Sequence, residues 1–190
     1  MKSQVQRKNV ILDLDQTVIS GESYDELDAM NQEELEVKLT QHKHSDMKGY
    51  YKIFERPGLQ EFLDYLFANF TVSVWTAASK EYALFIIKHI IIAGKKKKRV
   101  LDYILFAHHC EQSQDKYESI KNLCMLWKTY KLKGYRKRNT MIIDDNNEVS
   151  DTQPANCIHI KPFKFKNKKS HTDKILAKVV RPLLDIFRDK

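Results

Sequence analysis

Short apolar runs alternate along the chain with longer stretches in which apolar positions recur every three or four residues. Residues 9 to 14, "NVILDL", form a run suited to a short buried strand, and the polar residues 15 to 21 predict the loop after it. In "GLQEFLDYLFANF", Leu59, Phe62, Leu63 and Leu66 repeat at helical spacing, with Pro57 just ahead as a helix start. "TVSVWTAAS" predicts a second strand that ends in hydroxyl residues. "KEYALFIIKHIIIA" predicts a strongly apolar helix closed by Gly94 and the basic run "KKKKR". "YILFAHHC" predicts a third strand, "YESIKNLCMLWKTY" a helix, "NTMIIDDNNEV" a fourth strand and "CIHIKPF" a fifth. Residues 171 to 188 predict a last amphipathic helix. Strand and helix alternate, which predicts an α/β fold: a three-layer open parallel sheet flanked by helices, in one domain over residues 1 to 190.

One stretch departs from this alternation. "ESYDELDAMNQEELEVKLTQHKHSDMK" is polar, and Leu27, Met30, Leu35 and Leu39 give only a weak helical stripe. The expectation is an insertion over about residues 21 to 51, partly helical, lying over the end of the first strand. Its sequence lacks the pattern of a three-stranded insert, and "QHKHSDMKGYYKIF" supplies one hairpin strand at most.

The polar residues gather where strands end, and in open parallel sheets ligands bind in the crevice outside those carboxyl ends. Asp13, Asp15 and Thr17 follow the first strand, Thr76 and Ser79 the second, and Asp144, Asp145 and Asn146 the fourth. An ionised carboxylate out of water is costly unless it is paired or bound to metal. Clustered carboxylates with no His or Cys among them suit a hard, oxygen-loving cation, and Mg²⁺ is the expected cofactor. Beside such a cation a carboxylate can attack phosphorus, while a second one protonates the leaving oxygen and later activates water. Ser79 fits an N-cap of the following helix better than a phosphate ligand. Trp75 and Trp127 read as core, and His108 and His109 beside Cys110 lack zinc spacing.

Composition narrows the class. A hydrophobic fraction of 42% and an aromatic fraction of 11% are those of a globular chain. A net charge of +8 favours anionic partners such as phosphoprotein or nucleic acid, or is simply a Lys-rich solvated surface. Three scattered cysteines predict a reducing compartment without structural zinc. The N-terminus has no signal-peptide core, and "YALFIIKHIIIAG" is broken by Lys88 and too short for a bilayer. These features predict an intracellular protein, cytoplasmic or nuclear, with no membrane partner. "KKKKR" suits a nuclear import signal or a phosphate-steering patch, with a solvated loop as the default.

"DLDQT" matches the DxDxT signature of the haloacid dehalogenase superfamily. More narrowly, "VILDLDQTVIS", "YYKIFERPGLQEFLDYL", "VSVWTAASKEYA" and "MIIDDNNEV" followed by "NCIHIKPF" occur in order and spacing that resemble the RNA polymerase II C-terminal-domain phosphatases. That group includes the small C-terminal-domain phosphatases and the Nuclear-LIM-interactor-like proteins. The resemblance implies Asp13 as nucleophile and metal ligand, and Asp15 as general acid/base whose carbonyl also binds Mg²⁺. It implies Thr17 as orienting residue, Thr76 as phosphate ligand and Asp145 as second metal carboxylate, with Asp144 and Asn146 supporting. Arg56 in "FERPG" would touch phosphate or a loop. The phosphate-binding lysine would be Lys128, Lys131 or Lys133, with Lys128 preferred on counting back from Asp145.

The resemblance implies a phosphoprotein or phosphopeptide substrate, with phosphoserine or phosphothreonine as the hydrolysed group. Two alternatives stand beside it: a phosphatase of nucleic acid ends or small phosphomonoesters, favoured by the charge, and a non-catalytic docking module using the acidic insert and "IKPFKFKNKK". The intact acids argue for an enzyme. A Lys- and Asn-rich chain with a trimmed insert fits a large DNA virus or an AT-rich genome.

Overall fold

The computed structural model describes residues 7–93 and 98–190. Gly94, Lys95, Lys96 and Lys97 of the proposed helix stop and basic run lie outside the described residues, as does the stretch 1–6. In chain order the elements are β1 (Asn9–Leu12), β2 (Ile19–Ser23), α1 (Tyr24–Asp28), α2 (Gln32–Gln41), β3 (His44–Met47), β4 (Tyr51–Glu55), α3 (Leu59–Asn69), β5 (Thr71–Trp75), α4 (Lys80–Ile86), β6 (Ile104–Leu105), α5 (Ala107–Tyr117), β7 (Thr140–Asp144), α6 (Asn147–Thr152), β8 (Cys157–His159) and α7 (Arg181–Asp189).

Five strands form the parallel sheet expected from the alternation, in the order β6-β5-β1-β7-β8. β1 is central and wholly buried, and its Leu12 lies level with Val74 on one side and Ile143 on the other. Successive residues point to opposite faces. Val10 and Leu12 join a core with Leu63, Leu66, Ile86, Ile90 and Leu184. Ile11 joins the opposite core with Trp75, Leu126, Ile142 and Val149. A sheet buried on both faces makes β1 a continuous apolar run. Each fully buried Leu, Ile or Phe contributes roughly 1.5–3 kcal/mol over its exposed state.

Several expected boundaries move. The third strand shrinks to β6, because "AHHC" opens α5, where His109 Nδ1 accepts from the Phe106 N–H at 2.9 Å. The helix expected over 117 to 130 is not continuous. α5 stops at Glu118, whose φ is 53°, and helical structure resumes only as a wide turn over Met125–Thr129. Side chains take over the backbone partners between them: Ser113 Oγ donates to Ser119 O at 2.6 Å and accepts from Asn122 N–H at 2.9 Å. The fifth strand ends at His159, after which the Phe163 N–H donates to Gln16 O at 2.6 Å. Arg99, the end of the basic run, is no solvated loop residue. It is 5% exposed, pairs with Asp64 at 2.8 Å, and donates to Ile91 O and Gln60.

The insertion differs most from its expectation. β2, β4 and β3 form a three-stranded antiparallel sheet, with Ile19 opposite Glu55 and His44 opposite Phe54. β3 reads "HSDM" and is half exposed, so backbone pairing holds it without an apolar pattern. The weak stripe has a clear task. Leu27 and Leu35, with Met30 and Leu39 against them, cover Phe54 and Phe165, whose rings stack with centroids 3.5 Å apart.

Candidate active site

The chain turns sharply once β1 ends. The Asp13 N–H still pairs with Ile143 O at 3.1 Å, which keeps Asp13 beside the end of β7. Leu14 O then accepts three amides, from Thr17, Val18 and Ile19, at 3.2, 2.9 and 3.1 Å. Gln16 takes a left-handed φ of 57° inside this turn, where Asp15 bridges to Ile19. Two acids two residues apart are thereby held at the sheet's C-terminal edge.

Lys121 comes from the loop between α5 and the Met125–Thr129 turn, and sequence reasoning missed it. Its Nζ donates to Asp13 Oδ1 at 2.6 Å and to Asp144 Oδ2 at 2.8 Å. All three side chains are buried. Side chains hold this loop in place: Gln153 Nε2 donates to Lys121 O at 2.8 Å, Gln153 Oε1 accepts from Leu123 N–H, and Glu148 Oε1 accepts from Ile120 N–H. No local signal in the sequence marks Lys121: it follows Ile120, but Lys128, Lys131 and Lys133 also have apolar neighbours in Trp127, Tyr130 and Leu132. Those three are exposed, so the preference for Lys128 is corrected to Lys121.

Carboxylate oxygens of Asp13, Asp144 and Asp145 lie within 4.8 Å of one another. Burial and the Asp13 charge push Asp144 up to about 6, against the lowering pull of Lys121. Burial likewise raises Asp15 to about 6, and burial plus the Asp13 charge raise Asp145. Burial opposes the charge on Lys121, but Asp13 and Asp144 outweigh it and hold its ammonium above the ordinary range. One cation thus faces an excess of carboxylate in an all-oxygen donor set, which fits a hard divalent ion. Asp144 is already engaged through both oxygens, by Lys121 and by the Asn146 N–H at 2.9 Å. Asp13 and Asp145 are therefore the carboxylates better placed to hold such an ion.

The remaining expected residues divide. Thr17 Oγ1 donates to Asp145 Oδ1 at 3.1 Å, so the structure brings it into the cluster. Thr76 follows β5 at the same sheet end, and its Oγ1 accepts the Ala78 N–H at 3.1 Å, which leaves its own O–H proton to give. The Asn146 side chain caps α6 by accepting the Glu148 N–H. Ser79 caps α4. Of the two contacts expected for Arg56, phosphate or a loop, the structure shows the loop. Arg56 is 1% exposed, and its guanidinium donates to Thr17 O at 2.8 Å, Lys161 O at 2.9 Å and Asp173 Oδ2 at 2.8 Å. Tyr82, unforeseen, donates through Oη to Asp15 Oδ1 at 2.7 Å. Among the described residues no helix is long and apolar enough to cross a membrane.

Comparison with known proteins follows the same lines. The model of the NLI interacting factor-like phosphatases matches residues 8–189. A putative CTD phosphatase-like protein of Invertebrate iridescent virus 6 is 42% identical over 175 residues, which are 90% of this chain and 94% of that protein. Its counterpart in Invertebrate iridescent virus 3 is 40% identical, over 93% of this chain and 95% of that one. Among solved structures, Fcp1, an essential RNA polymerase II CTD phosphatase, superimposes with a TM-score of 0.57 at 22% identity. That match covers 96% of this chain but 49% of the Fcp1 chain, and it shows a shared α/β fold. A family match over nearly the whole chain, and near-complete alignment to relatives at about 40% identity, make this chain a member of the NLI interacting factor-like phosphatase family.

Proposed function

We propose that the chain is a Mg²⁺-dependent phosphatase that hydrolyses phosphoserine or phosphothreonine in proteins, with peptides like the RNA polymerase II C-terminal domain as the substrate class. The observation that carries the reading is Lys121 set between Asp13 and Asp144 at the ends of adjacent strands. An anionic nucleophile, a buried cation to receive phosphate oxygens, and further acids for an ion and for proton transfer meet in one crevice. The names of the two viral relatives and of Fcp1 support the substrate class. The iridescent virus relatives also support a virus-encoded enzyme.

In this reading Asp13 and Asp145 hold Mg²⁺, which when bound offsets the repulsion between nucleophile and substrate. A carboxylate oxygen of Asp13 attacks phosphorus, the bond to the serine or threonine oxygen breaks, and Asp15 gives that oxygen its proton. Water then attacks the aspartyl-phosphate and loses a proton to Asp15, which releases inorganic phosphate and restores Asp13. Lys121 and the Thr76 hydroxyl face the charge that spreads over the phosphoryl oxygens.

The test is hydrolysis of p-nitrophenyl phosphate with Mg²⁺, followed by a phosphopeptide panel. Activity is expected to vanish with EDTA and in Asp13→Asn. Turnover that survives in a folded Asp13→Asn protein sinks the mechanism. A second reading, a phosphatase of nucleic acid ends, draws on the cleft lined by Lys161, Lys164, Lys168, Lys169 and Lys174. Steeply salt-dependent binding of DNA or RNA, with end-phosphate release, would favour it.

A further inference from the structure

Tyr82 lies in the first turn of α4, and its hydroxyl reaches across to Asp15 Oδ1 at 2.7 Å. Three neighbours build this contact. Ser79 caps the helix by accepting the Tyr82 N–H at 3.4 Å, which fixes the turn that carries the ring. Tyr51 of β4 meets the Tyr82 ring edge-on, with centroids 5.4 Å apart. Gly21 of β2 leaves room for the hydroxyl itself: a Cβ there would stand 2.0 Å from Tyr82 Oη and 3.2 Å from the ring carbon behind it. That glycine is paired within a regular antiparallel ladder, opposite Ile53, so the space it vacates is what distinguishes it. A tyrosine serving only as core would need neither a carboxylate partner nor a vacancy cut to its hydroxyl.

We propose that Tyr82 is the positioning residue of Asp15. By donating to Oδ1 it fixes the carboxyl group's orientation, and it leaves Oδ2 as the oxygen that gives a proton to the leaving group and takes one from water. The inference rests on the reading of Asp15 as general acid/base. Through both half-reactions the tyrosine proton stays on Tyr82. The protons that move are the one from Asp15 to the leaving oxygen and the one from water to Asp15. A proton donor must be held within hydrogen-bond reach of its target for transfer to be efficient, and an unrestrained aspartate on a turn spends time elsewhere.

Leaving groups separate this role from a merely structural one. Phenolate departs with little protonation, whereas a serine alkoxide needs it. The experiment measures kcat and KM for p-nitrophenyl phosphate and for a phosphoserine peptide, with Mg²⁺, in Asp15→Asn, Tyr82→Phe, Gly21→Ala and the double variant Gly21→Ala/Tyr82→Phe. Asp15→Asn is expected to lose far more on the peptide than on the phenyl ester. Tyr82→Phe is expected to lose about tenfold in kcat/KM on the peptide, the scale of one hydrogen bond, and less on the phenyl ester, because kcat/KM leaves out the hydrolysis step common to both substrates. Gly21→Ala should show the same split by displacing the hydroxyl. The double variant should be no worse than Tyr82→Phe, because the added methyl then meets no oxygen. Thermal melts check folding, and Gly21→Ala keeps the test alive should Tyr82→Phe fail to fold. Equal losses in kcat/KM on both substrates, or additive losses in the double variant, overturn the role of Tyr82 while the Asp15→Asn split stands. A flat Asp15→Asn response overturns the acid/base reading beneath it.

Discussion

Lys121 Nζ and Asp13 Oδ1 stand 2.6 Å apart with both side chains almost closed to water. A buried ion pair gains little over an apolar pair, but breaking it leaves an uncompensated charge. The pair is therefore expected to matter twice. Lys121→Met should lower kcat by about 10²–10³-fold, as for loss of one donor to a developing anion. It should also destabilise the metal-free protein by about 3 kcal/mol, because Asp13 and Asp144 lose their cation. Exposed Lys128→Ala should change stability by no more than about 0.5 kcal/mol and leave turnover intact. Urea titration and p-nitrophenyl phosphate assays of both variants decide between the two lysines.

Arg56→Leu should act on the fold. It strands Asp173 and the carbonyls of Thr17 and Lys161 in a buried setting, at a cost of about 3 kcal/mol. KM measured well below the melting temperature should stay near that of the parent chain. A large rise in KM with unchanged stability would return Arg56 to the phosphate site.

Gln153 brackets Lys121 with one bond to its carbonyl and one from the Leu123 amide. Gln153→Ala should cost roughly 1–2 kcal/mol and loosen the loop. A severalfold loss of kcat alongside it, absent from Asp151→Ala at an exposed position nearby, would show that the loop is what places the ammonium.

Metal and pH are linked through the raised carboxylates. Asp15 and Asp144 rise from 3.8 to about 6, so the folded metal-free protein binds more protons than the unfolded chain between those values. Its stability should therefore fall as pH rises through that window. Asp145, one of the two carboxylates assigned to the ion, is raised as well, so protons compete with Mg²⁺ for it, and the rise in Tm on adding Mg²⁺ should be full at pH 7 and shrink as pH falls. Scanning calorimetry at pH 5 and pH 7, with and without Mg²⁺, measures both signs. A rise equal at the two pH values would separate the ion from these acids.

The sheet was legible because β1, β5 and β7 are buried on both faces and must read as apolar runs. The clustering of the acids was legible because neighbouring strands of a parallel sheet bring their carboxyl ends together. The lysine was not, since its place depends on where α5 stops, and Ser113 and Gln153 decide that from elsewhere in the sequence. Arg56 stayed between two roles for a related reason: an arginine beside a phosphate crevice and one tying loops together look alike until Asp173, 117 residues away, is placed. β3 was hidden because an edge strand is held through backbone groups that every residue carries.

The ties around Arg56 have a consequence for how the enzyme is made. The turn that carries Asp13 and Asp15 is synthesised early, yet its Gln16 and Thr17 carbonyls are satisfied by the Phe163 amide and by an arginine anchored to Lys161 and Asp173. Contacts spanning 105 and 117 residues close late, after their loop entropy has been overcome. A chain that stops before residue 161 holds Asp13 but not the clamp that shapes its turn. Such a fragment is expected to turn over no phosphate even though it carries Asp13 and Asp15.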